Sequence, residues 1–196
     1  MLYTIENKTQ SEIKIKRSRF ICTLYPLPHA ENVKDLLNEH CRLYVTANHH
    51  CYAYIYGFNK DITYYSDAGE PSGTAGKPIL NALLRNNLTN VLAVVSRYFG
   101  GIKLGVKGLI DAYSGSVEQT ILQSKLIEAK QLITISLTCD YPAFEAIKHN
   151  VETLSGDISQ IVWAEEVSFL VTLPAEQESA FMENINCLSS NYRLNY

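Results

Sequence analysis

The chain reads as an α+β protein of two domains, residues 1–129 and 130–196, and three observations carry that reading. Segments with a period of two alternate with segments of helical period along the whole length. The last third runs strand, helix, strand, strand, helix, strand, the split-βαβ order of a ferredoxin-like fold. The charge also changes sign. Residues 1–130 carry 15 Lys and Arg against 11 Asp and Glu, a net +4, whereas residues 131–196 carry 2 against 9, a net −7. Such an asymmetry predicts two domains with different partners.

In the first domain, Ile13 and Ile15 alternate with Lys14 and Lys16, and FICTLY continues the strand to Pro26. Lys16, Arg17 and Arg19 either protect that strand's edge from stray pairing or meet a ligand. His29 to Tyr44 is predicted as an amphipathic helix with Val33, Leu36, Leu37 and Cys41 on one face. HHCYAYIYGF (49–58) is a strand with a small-residue face and a tyrosine face, and ITYY returns beside it as a hairpin. SDAGEPSGTAG is the densest turn signal in the chain. A helix follows from Lys77 and Pro78, with Ser72 or Thr74 as its cap. Val91 to Arg97 is a buried strand, then come a loop holding Gly100, Gly101, Gly105 and Gly108 and a helix from Leu109 to Leu126. In the second domain, Leu132–Thr138, Ile158–Ala164, Val167–Leu173 and Tyr192–Tyr196 are strands, and Pro142–Leu154 and Pro174–Leu188 are helices.

The two glycine-bearing loops share small residues and lysines, so they are predicted to meet at one surface site. Lys77, Arg97, Lys103 and Lys107 supply positive charge, Ser72 and Thr74 supply hydroxyls, and free N–H groups at a helix start hold phosphate or carboxylate. Asp67 and Glu70 can bind a divalent ion, act as an acid–base pair, or cap turns. Tyr52, Tyr54, Tyr56, Tyr64, Tyr65, Tyr98 and Tyr113 crowd the same domain. Aromatic faces among cations hold single-stranded RNA, and they also pack sheets.

Other chemistries lack their residues. Gly100 and Gly105 have the Walker separation, but Val106 stands where that loop requires lysine. His49, His50 and Cys51 have no further zinc ligands at workable spacing. Neither Ser72 nor Ser96 lies in G-x-S-x-G. No metal and no cofactor are expected. The five cysteines contain no CxxC pair and suit reduced, structural thiols. No apolar run approaches the roughly 20 residues that span a bilayer, and MLYTIENKTQ lacks the parts of a signal peptide. A cytoplasmic location is expected.

HHCYAY, SDAGEPSGTAGKP and RYFGGIKLGVKGLIDAY, in that order, resemble the signature segments of the IMPACT/YigZ family. The acidic tail is similar to the small ferredoxin-like domain of its bacterial members. The resemblance implies a βαβ-containing, two-layer first domain similar to domain IV of elongation factor G. By analogy with translation factors of that fold it also implies contact with RNA or the ribosome, and its eukaryotic relatives regulate translation under amino-acid starvation. Three positions depart from the family pattern: Ala68 replaces an aspartate, Lys107 a glycine and Asp111 an arginine.

The leading expectation is a translation-associated regulatory protein without catalytic residues. It contacts RNA, the ribosome or another phosphate-bearing ligand through Asp67, Glu70, Ser72, Thr74, Lys77, Arg97, Tyr98, Lys103 and Lys107. A protein partner is expected for the acidic domain; membrane and sequence-specific DNA are not. One alternative is a hydrolase-type enzyme on a small phosphorylated or peptide substrate, using Asp67, Glu70 and His50. The other is a protein-interaction module.

Overall fold

The computed structural model describes residues 1–189 and 194–195. It divides into two compact units, Met1–Ala129 and Lys130–Tyr196. In the first unit, β1 (Tyr3–Ile5) pairs with β7 (Leu126–Glu128) and ties the two ends of the unit together. The main sheet holds β2 (Thr9–Ile15), β3 (Ser18–Pro26), β4 (His49–Tyr56), β5 (Ile62–Ser66) and β6 (Val91–Tyr98). Its order is β2-β3-β6-β4-β5, with every neighbouring pair antiparallel.

Alternation along the strands decides which helix covers which face. Val91, Ala93 and Val95 of β6, with Cys51, Ala53 and Ile55 of β4, pack under α2 (Gly76–Arg85) and α3 (Gly105–Gln123). Leu92 and Val94 face the other way, onto Val33, Leu36 and Leu37 of α1 (Val33–Leu43). Two split crossovers follow, β3-α1-β4 and β5-α2-β6, each with a strand inserted between its parallel pair. They run in opposite senses across the sheet, on antiparallel strands, with their helices on opposite faces. One of them is therefore left-handed, against the strong right-handed rule for such connections.

The second unit runs β8 (Leu132–Cys139), α4 (Tyr141–Thr153), β9 (Asp157–Trp163), β10 (Val167–Pro174), α5 (Glu178–Ser189) and β11 (Leu194–Asn195). The antiparallel order β11-β8-β10-β9 is the ferredoxin-like arrangement that the element order predicts. Phe144, Ile147, Phe169, Phe181 and Ile185 belong to a core that shares no residue with the first unit's. Of the predicted closing strand Tyr192–Tyr196, only Leu194 and Asn195 lie within the described residues, and they pair with β8.

Three expectations change. The Ser11–Tyr25 run is not one strand but a hairpin, closed by Lys16 and Arg17, both left-handed at φ 43° and 69°. Consecutive positive φ values mark the two-residue turn whose twist matches the strands, normally built from Asn-Gly. Helix α3 starts at Gly105 rather than Leu109. Leu104 and Leu109 both pack against the core, and that packing overrides the poor helix propensity of glycine. Helix α2 is capped by neither Ser72 nor Thr74, because a distant carboxylate takes that role.

Candidate functional site

That carboxylate is Asp67. Its Oδ2 accepts the Gly73 N–H at 2.8 Å, and its Oδ1 accepts the Ala75 and Gly76 N–H groups at 3.0 and 2.8 Å. Of the phosphate or carboxylate expected at the start of α2, it is the chain's own carboxylate that is held there. A carboxylate with three amide donors is a structural staple, which is the turn-capping alternative for Asp67 and not the ligand or acid–base one. Gly76 is required here, since an added Cβ would lie 2.6 Å from the Ser66 backbone. Thr74 is buried and donates to the Pro71 carbonyl at 2.6 Å, so it too serves the loop. Ser72 and Lys77 remain exposed on it.

Arg97 and Glu70 form the second correction. Nη1 of Arg97 donates to Oε1 of Glu70 at 2.5 Å, and the side chains are 7% and 4% exposed. The Tyr113 hydroxyl donates to the same oxygen at 2.9 Å. Cys51 Sγ lies 3.3 Å from that hydroxyl and 2.9 Å from the Asp67 carbonyl. The Arg97 charge is thus compensated inside the fold and does not act as a free phosphate ligand. Burial pushes the Cys51 thiol up to about 12, with Glu70 and Asp67 adding to the rise. Burial and the adjoining Cys51 and Glu70 likewise raise the Tyr113 phenol. Both groups stay protonated, so Cys51 offers no thiolate nucleophile.

The two loops meet above this network. Glu70 and Pro71 face Phe99, Lys103, Leu104 and Val106 across a cavity of about 480 Å³ that Asn48 and Arg97 also line. Lys103 and Lys107 are exposed. The β2–β3 turn joins them, because Gly100 sits on the Arg17 backbone, where an added Cβ would come within 2.1 Å. The Ser18 hydroxyl also accepts the Gly100 N–H at 3.3 Å. Sequence reasoning missed this placement of Lys16 and Arg17. The signal available was a Lys-Arg pair between two alternating runs. Tyr98 is half-buried, and the Arg19 guanidinium lies over its ring, 4.5 Å from the centroid.

His50 lies on the opposite face of the sheet from Glu70, as strand alternation requires. Its Nδ1 is 2.8 Å from Ser96 Oγ, which is 2.7 Å from Nε2 of the buried His40; Nδ1 of His40 is 2.9 Å from the Tyr25 hydroxyl. Asp67, Glu70 and His50 are therefore not assembled into one acid–base centre, and the hydrolase alternative loses its residues. Burial, then the neighbouring His50 and Lys8, depresses His40 to about 4. Among the described residues, no helix is long and apolar enough to cross a membrane, and no three His, Cys, Asp or Glu side chains are grouped to hold a metal ion.

Comparison with known proteins agrees with the motifs. The model of the Impact N-terminal domain matches residues 16–121, and that of a domain of unknown function, DUF1949, matches residues 137–191. The chain is 34% identical over 181 residues to the IMPACT family member YvyE of Bacillus subtilis, covering 92% of this chain and 83% of that one. It is 35% identical over 170 residues to the IMPACT family member YigZ of Escherichia coli, covering 86% and 83%. A crystal structure of a hypothetical protein superposes with a TM-score of 0.76 at 31% identity, covering 98% of this chain and 95% of that one. Two domain models in sequence order and relatives aligned over most of their length lead to one conclusion: the chain belongs to the IMPACT family.

Proposed function

We propose that this chain is a cytoplasmic, translation-associated regulatory protein that binds single-stranded RNA through the basic end of its first unit. The observation that carries the reading is the seat of Gly100 on the Arg17 backbone, which joins Lys16 and Arg17 to the loop bearing Lys103, with Lys107 just beyond it in the first turn of α3. Four exposed cations then occupy one end of the sheet. Lys16 and Arg17 hold left-handed backbone positions that Asn and Gly would fill with less strain, a local conflict of the kind found at functional sites. Family membership supports the place in translation. The acidic second unit repels polyanions and is left for a protein partner.

Fluorescence anisotropy with fluorescein-labelled decauridylate tests the reading. With four phosphates neutralised, the log–log dependence of affinity on salt has a slope of about −2.8. Each of Lys16→Ala, Arg17→Ala, Lys103→Ala and Lys107→Ala should flatten that slope by about 0.7. Lys60→Ala should leave it unchanged: it lies in the β4–β5 turn, while the register Ile55↔Val91 and His49↔Arg97 puts the basic loop at the other end of the sheet. A salt-independent affinity, or none, overturns the proposal.

A further inference from the structure

We propose that the cavity between the two loops receives one unstacked nucleobase of the bound strand, while Lys103 and Lys107 hold the adjoining phosphates outside. This inference rests on the RNA reading above and adds a base-binding site to it. The cavity, about 480 Å³, falls within the size range of small-molecule sites. Its walls differ in chemistry. Phe99 is 46% exposed, and the Arg97 guanidinium lies 5.4 Å from its ring centroid, so an arginine-backed aromatic ring is offered for stacking. Leu104, Val106 and Leu109 supply apolar sides.

The polar groups are few and placed. Asn48 Oδ1 accepts the Phe99 N–H at 2.7 Å, which fixes the amide and leaves its NH₂ as a donor. Arg97 lines the cavity with its Nη1 held by Glu70. A bare phosphate would engage the lysines and leave the ring and the apolar walls unused. A nucleotide uses both.

The test compares fluorescein-labelled decauridylate with an abasic ribose-phosphate decamer of equal length and charge, by anisotropy. Decauridylate should bind about tenfold tighter than the abasic strand. Val106→Trp, a change at a 63% exposed position that fills the cavity, should reduce decauridylate to the abasic level and leave the abasic affinity unaltered. Lys103→Ala and Lys107→Ala should weaken both probes alike. Equal affinity for the two probes, with the lysine variants still weakening both, overturns the base site and leaves the basic surface standing. A tenfold preference that survives Val106→Trp also overturns it, and binding of neither probe removes both proposals.

Discussion

Arg97 and His40 show how single side chains constrain this molecule. Arg97 sits on the face of β6 that packs under α2 and α3, and Glu70, reaching in from the loop between β5 and α2, compensates its charge. The loop's position is thereby coupled to the sheet. On the other face, His40 is neutral because burial disfavours its charged form. An unfolded histidine takes up its proton near its ordinary value of 6.5, whereas folded His40 waits until about 4. The unfolded state therefore binds more protons between these limits, and stability falls as pH drops through that window. The loss approaches roughly 3 kcal/mol at its lower end. Urea unfolding between pH 7.5 and 4 should show it, and His40→Gln should remove most of the slope. An unchanged slope in that variant would assign the effect elsewhere. Glu70 was legible as a polar residue in a turn, but its partner was not, because residues 27 positions apart meet only through the fold.

At the scale of elements, the decisive features are turns. The β2–β3 turn carries Lys16 and Arg17 at φ 43° and 69°, where Asn-Gly would be less strained. Replacing the pair (Lys16→Asn with Arg17→Gly) should stabilise the chain by about 0.5–1 kcal/mol. The same change should weaken decauridylate binding, which gives opposite signs for stability and function. Denaturation and anisotropy on one sample measure both; a loss of stability would show that the cationic side chains hold the hairpin themselves. The periodic segments of strand and helix were legible because one face of each had to be apolar. The turn was not read, although the apolar positions shift from Ile13 and Ile15 to Phe20, Cys22 and Leu24 across the two residues that reverse the run. The start of α2 was misread for a similar reason: Ser72 and Thr74 are adjacent caps by sequence, yet Asp67 reaches three amides through the fold of the loop.

At the scale of the whole molecule, the two cores share no residue, and β1 with β7 closes the first unit on itself. A fragment of residues 1–129 should accordingly fold alone, with cooperative urea unfolding and the decauridylate affinity of the full chain. A fragment without native circular dichroism would show that its core depends on residues 130–196. The isolated second unit, at 67 residues by these bounds, is close to the size at which a single core becomes marginal.

Local pattern by itself determined the strands, the helices and the ferredoxin-like order of the second unit, because periodicity records which side of each element meets the core. Short motifs determined the family. Only the tertiary structure decided what the charges do. Asp67 and Arg97 have the composition of a ligand site, but compensation inside the fold consumes their charge, whereas Lys16 and Arg17 look like edge protection and are brought beside the loop by a glycine contact. Charge compensation depends on distances between residues far apart in the chain, and spacing along the chain does not encode those distances.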